Sequence, residues 1–224
     1  MKGCLLIHGY TGAPFEVEPL AKHLESLGYQ TLCPTLHGHT GTRKDLKKSK
    51  YTDWIESAEE GYMNLSRTCD EVAALGFSMG GLLAFNVAIK HNVKCLVTMG
   101  TPIYCFDTKN LYMDIRENFN SKNINRIKEY AGACFTPIRA NLNFQRILHK
   151  SKPILKDIDI PIFVVHGNKD PIAHKKSAYY IYNKVKSSEK QIKLYDNLPH
   201  RFQYCNNQAA IFADIGDFVK KHLQ

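Results

Sequence analysis

The chain predicts a doubly wound α/β fold on a mostly parallel sheet of about six to seven strands. Two observations carry that prediction. Short, β-rich apolar runs recur along the sequence, and amphipathic helical patterns stand between them. Strand, helix and strand in that alternation imply parallel, right-handed crossover units.

The first run, Gly3 to His8, reads as a strand, and Val17, Leu20, Leu24 and Leu27 then fall on one helical stripe. Gly28 stands where a left-handed residue would end that helix, and Gln30 to Pro34 completes a first β-α-β unit. Thr52 and Asp53 are capping candidates for a helix reaching Cys69, with Ile55, Ala58, Tyr62 and Leu65 at helical spacing. Further strands are expected at Val72 to Phe77, Lys94 to Met99, Pro161 to His166 and Lys190 to Tyr195, and all six runs are apolar enough to predict burial on both faces. Helices are expected from about Met79 to His91 and through Ile211, Ile215, Phe218 and Val219. Residues 103–152 break the alternation. Helical patterns run over Leu111 to Tyr130 and Asn141 to His149 without a strand, which reads as a helical cap inserted over the strand ends. Residues 1–224 are otherwise expected to form one domain.

Composition excludes several classes of function. With 44% hydrophobic and 23% charged residues the balance is that of a soluble globular protein. No apolar run reaches the ~18 residues of a membrane span, so stable membrane insertion is not expected. MKGCLLIHGY has no small-residue cleavage site after its apolar run and reads as a buried strand of a cytoplasmic protein. The seven cysteines form no C-x-x-C pair and are expected to be reduced. The net charge of +9 is dispersed, and its densest cluster, Arg43 to Lys50, lacks the interleaved aromatics of a single-strand binder. It reads as a solvated basic face, with no nucleic-acid partner.

The chemistry gathers around Gly76-Phe77-Ser78-Met79-Gly80, a G-x-S-x-G pattern between a strand and a helix. Glycines on either side clear space for a sharp turn that exposes the serine. A serine hydroxyl is a weak nucleophile without a histidine base and a carboxylate to orient that base. Asp170 lies in the polar turn after the Pro161 to His166 run, and His200 lies after the Lys190 to Tyr195 run. The order Ser78, Asp170, His200, each in a loop after a strand, is the order such a triad takes on an open α/β sheet. A tetrahedral intermediate also needs donors for its oxyanion, and the Met79 and Tyr10 N–H groups are the candidates. His8 and His166, before glycines at strand ends, suit structural hydrogen bonds. His37 and His39 have no carboxylate or cysteine at metal-ligand spacing, and no metal or other cofactor is expected.

These motifs resemble the α/β-hydrolases, and among them the small bacterial carboxylesterases and monoacylglycerol lipases. The resemblance runs in order through LLIHGYTG, PTLHGHT, LGFSMGG, PIFVVHGNKD and SAYYIYNKV to QIKLYDNLPH, nearly the whole chain. It implies an α/β-hydrolase fold, from which this chain is expected to depart in having reduced amino-terminal strands, with Ser78, Asp170 and His200 as catalytic triad, the Tyr10 and Met79 amides as oxyanion hole, and an apolar acyl pocket under the cap. The expected reaction is hydrolysis of small-molecule carboxylic esters, short- to medium-chain acyl esters or monoacylglycerols, through an acyl-enzyme on Ser78. A thioesterase or amide hydrolase would use the same triad, and a ligand-binding protein could keep the pocket without turnover. Serine in place of a carboxylate at position 78 argues against a dehalogenase or epoxide hydrolase. The chain departs from the family at Gly38-His39-Thr40, where relatives often carry glycine after the histidine, and in the cap segment.

Overall fold

The computed structural model describes residues 1–105, 116, 119–120, 136–196, 198–202, 205 and 208–223. Among them six strands form one parallel sheet: β1 (Lys2–Ile7), β2 (Gln30–Leu32), β3 (Glu71–Phe77), β4 (Val93–Met99), β5 (Ile162–Gly167) and β6 (Lys190–Tyr195). Their spatial order is β2-β1-β3-β4-β5-β6. The chain steps outward from β1 to β2, then returns to β3 on the other side of β1 and proceeds to β6. The order therefore reverses between β1 and β3, and the crevice at such a switch point is where open α/β sheets bind ligands.

The helices bounded within the described residues are α1 (Glu18–Ser26), α2 (Arg43–Lys48), α3 (Tyr51–Leu65), α4 (Met79–Lys90), α5 (Ile138–Ile154), α6 (Lys176–Lys184) and α7 (Gln208–His222), with 3-10 turns at Pro14–Glu16 and Leu155–Asp157. Period-two alternation along each strand divides the core into two layers. Cys4, Leu6, Ala73, Leu75, Cys95 and Val97 face α1 and α7, where Leu20, Leu24, Ile211, Ile215 and Val219 meet them. Leu5, Ile7, Val72, Ala74, Leu96, Ile162 and Val164 face the opposite way, against Trp54, Ala58, Leu82, Phe85, Ile147 and Ile181 of α3 to α6. Burial on both sides explains why β1, β3, β4 and β5 read as nearly continuous apolar runs.

Three expectations need correction. The two edge strands are not buried on both faces: β2 is only half-buried along its length, and in β6 Gln191 and Lys193 are exposed, as suits a sheet edge, where charge discourages pairing with another edge. Leu27 does not join the buried stripe of α1 and is half exposed, because the helix ends at Ser26 before Gly28 turns the chain with φ 91°. Thr52 and Asp53 do not precede their helix. α3 begins at Tyr51, with Asp53 in its first turn accepting the Lys50 N–H at 2.9 Å, so the carboxylate caps the helix from inside. The Asn141 to His149 pattern falls within α5, whereas Leu111 to Tyr130 lies outside the described residues apart from Arg116, Phe119 and Asn120, which are helical.

Candidate active site

Ser78, Asp170 and His200 come together at the carboxyl edge of the sheet, beyond β3, β5 and β6. Ser78 follows β3 directly and has φ 51° and ψ −120°, a conformation that L-residues seldom adopt. Its N–H donates to Met99 O at 2.8 Å, so the ladder with β4 continues through the turn and holds it. The turn is tight enough to need glycine on both sides: a Cβ at Gly76 would lie 2.3 Å from the Gly80 backbone, and one at Gly80 would lie 2.1 Å from Ile7 O of β1.

The Asp170 carboxylate is buried and accepts the N–H groups of Ile172 and Ala173 on Oδ1, at 2.8 and 2.9 Å. Its Oδ2 lies 2.7 Å from His200 Nδ1, and His200 Nε2 lies 3.0 Å from Ser78 Oγ. Burial alone would push the Asp170 carboxyl up, but the His200 ring and its hydrogen bond, with the Ala173 N–H, outweigh burial and hold it below the ordinary carboxylate range. An ionised Asp170 can only accept, which places the proton on His200 Nδ1 and leaves Nε2 to accept from the Ser78 hydroxyl. Phe77 packs against the His200 ring, with centroids 5.3 Å apart.

The loop after β1 is held with equal care. Leu36 N–H donates to His8 Nε2 at 3.2 Å, so His8 carries its proton on Nδ1 and donates to Gly9 O at 2.9 Å. Gly12 N–H donates to the same oxygen at 3.2 Å. In a planar trans peptide the Gly9 carbonyl and the Tyr10 N–H point in opposite directions, so anchoring one aims the other. The first-turn N–H of Met79 in α4 has no acceptor within its own helix. His39 packs edge-on to His8 and to Trp54, with centroids 5.2 and 5.5 Å apart, and burial pushes both His8 and His39 down to about 4. His166 makes the structural bond expected of it, to Ala173 O at 2.8 Å. Among the described residues no group of three or more His, Cys, Asp or Glu side chains is arranged to hold a metal ion.

Ser78, His200 and Tyr10 open onto a cavity of about 620 Å³ that is also lined by Leu46, Phe77, Pro102, Phe144 and Ile172. The Tyr10 ring stacks on Phe144 of α5 with centroids 4.9 Å apart, and its hydroxyl donates to Asn141 Oδ1 at 2.9 Å. A largely apolar chamber with a few converging polar groups suits a small acyl-bearing molecule. Two contributors were invisible to spacing arguments: Asn141, which meets Tyr10 from a distant helix, and Glu16, a buried carboxylate that accepts the Gly9 N–H at 3.0 Å. The only sequence signal for Glu16 was an acidic residue in a short turn just after Gly12.

Comparison with known proteins agrees with this architecture. A family profile described as alpha/beta hydrolase fold matches residues 5–122, and one described as serine aminopeptidase, S33, matches residues 121–204. The chain is 26% identical to a carboxylesterase of Bacillus subtilis (strain 168), covering 98% of this chain and 93% of that protein. It is 28% identical to a thermostable monoacylglycerol lipase of Bacillus sp. (strain H-257), covering 98% and 91%. A structure solved for the metagenome-derived lipolytic enzymes LipS and LipT superposes with a TM-score of 0.83 at 21% identity, over 99% of this chain and 94% of that one. Monoglyceride lipase from Saccharomyces cerevisiae superposes with a TM-score of 0.78 at 18% identity, over 100% and 87%. The strand order, the serine turn after β3 and a profile match spanning more than half the sequence lead to one assignment: the chain belongs to the alpha/beta hydrolase fold family.

Proposed function

We propose that this protein is a serine hydrolase of carboxylic esters, acting on short- to medium-chain acyl esters or monoacylglycerols through an acyl-enzyme on Ser78. The observation that carries this reading is the hydrogen-bonded series Asp170, His200, Ser78, which ends at an apolar cavity. Ser78 Oγ attacks the acyl carbonyl carbon while His200 Nε2 takes its proton, and Asp170 orients the resulting imidazolium and stabilises its charge. The Tyr10 and Met79 N–H groups take the oxyanion. His200 then returns the proton to the departing alcohol oxygen, and the same histidine activates the water that releases the acid.

Esters are favoured over amides because the relatives matched over 98% of the chain are named carboxylesterase and monoacylglycerol lipase, whereas the aminopeptidase profile matches residues 121–204 alone. We read residues 103–152 as a helical cap insertion, of whose described residues Asn141 and Phe144 of α5 line the chamber beside Ser78. A cytoplasmic setting fits the free thiols of Cys4, Cys33, Cys69, Cys95 and Cys105, and no described helix is long and apolar enough to cross a membrane.

The test is covalent labelling with a fluorophosphonate, followed by mass-spectrometric location of the adduct, alongside turnover of matched ester, thioester and amide substrates. Modification of Ser78 with loss of ester turnover is expected, and the ester should be the fastest of the three. A label elsewhere, with activity retained, would overturn the assignment.

A further inference from the structure

Glu16 is only 2% exposed, and the ester chemistry makes no use of its carboxylate. Burying a carboxylate is costly unless it is hydrogen-bonded or paired, so its location calls for a partner that gains from the charge. Its Oε2 accepts the Gly9 N–H at 3.0 Å, and its Oε1 lies 3.9 Å from Nη2 of Arg201, the residue after His200. The carboxylate fills the hollow of the loop: a Cβ at Gly12 would lie 1.9 Å from Oε2, and one at Gly9 would lie 3.2 Å from the same atom and 3.3 Å from Ser78 Cβ. Gly9 is therefore gripped from both ends, its N–H by Glu16 and its carbonyl by His8 and Gly12. Within the same turn Thr11 has φ 58°, a strained conformation that persists only where the surroundings enforce it.

We propose that Glu16 is a positioning residue for the reaction. Its carboxylate holds the Gly9–Gly12 loop so that the Tyr10 N–H stands ready for the oxyanion, and through Arg201 it ties that loop to the segment carrying His200. A charged acceptor suits this task because a charge-assisted bond to a backbone N–H is about twice as strong as a neutral one. The inference rests on the serine-hydrolase reading of Ser78.

The test compares native protein with Glu16→Ala, Glu16→Gln and Gly12→Ala on a short-chain chromogenic ester, and measures Ki for a trifluoromethyl ketone that forms a tetrahedral adduct. Glu16→Ala should lower kcat by roughly 10- to 100-fold, the scale on which loosened oxyanion donors act, with KM within about threefold. Ki should rise by about the factor that kcat/KM loses, because both report binding of the same tetrahedral geometry. Glu16→Gln keeps an acceptor for the Gly9 N–H and should recover most of the rate. Gly12→Ala keeps the carboxylate but drives it off Gly9, and should reproduce the alanine phenotype; it decides the matter if Glu16→Ala does not fold. Variants that lose thermal stability while kcat and Ki stay within twofold of native, or whose loss lies wholly in KM, would overturn the proposal. Native protein that neither turns over the ester nor takes the label at Ser78 would instead remove the serine-hydrolase reading beneath it.

Discussion

Ser78 stands in a backbone conformation that costs on the order of 1–3 kcal/mol for a residue with a Cβ. The strain points to a role for the side chain, since glycine would occupy the position more comfortably. Ser78→Gly should therefore match or exceed the native Tm while abolishing ester turnover, and a clear drop in Tm would contradict this account of the turn. Ser78→Ala keeps the strain and should lose turnover at native stability. Asp170→Asn removes the charge that faces His200 Nδ1 and admits the wrong tautomer, so kcat should fall by about 10³- to 10⁴-fold with far-UV circular dichroism unchanged.

At the scale of elements, the serine turn works because α4 approaches β1 closely enough for Gly80 to lie against the Ile7 carbonyl. Gly80→Ala cannot be absorbed by a flexible neighbour, because the obstacle is backbone. Urea denaturation should show a loss of at least about 1–3 kcal/mol, the usual cost of overpacking, and turnover should fall with it as the turn shifts. On the opposite wall α5 reaches the β1 loop through the stacked Phe144 and Tyr10 rings. Phe144→Ala would open the chamber on that side. Across a series of acyl esters, the optimum for this variant should move to longer chains, and an unmoved optimum would place the acyl group elsewhere.

The whole molecule should be sensitive to acid in a defined window. His8 and His39 are held at about 4 by burial, below the ordinary histidine value of about 6.5 that they regain on unfolding. Between those values the unfolded chain binds protons that the folded chain refuses. Stability is therefore complete above about 6.5, and each histidine removes about 1.4 kcal/mol per pH unit as the pH falls toward about 4. Asp170 acts lower: its folded carboxyl titrates below the ordinary range, so its contribution is present above about 3.9 and is lost as pH falls through the folded value. Urea midpoints at pH 7.5, 5.5 and 4.5 should decline in that order, and a flat series would show that the two rings are not held neutral.

Much of this protein follows from residue order alone. The apolar runs are long and two-sided because β1, β3, β4 and β5 lie inside the sheet, so their positions were legible to within a residue or two. Ser78, Asp170 and His200 were legible because loops at one edge of a parallel sheet must converge, whatever the details of the helices between them. Contacts set by which segments become neighbours were not legible. β6 was misread because an edge strand shows only in the assembled order, and Leu27 because its helix stops one residue short. The hold of Glu16 on Gly9 spans a turn with no periodic pattern, and the bond from Tyr10 to Asn141 crosses 131 positions of sequence. The sequence by itself determined the layered fold and the three residues proposed for the chemistry, since both depend on local pattern and chain order. Only the tertiary structure decided what holds those residues in place and what walls the chamber beside them, because those contacts arise when distant segments share one space.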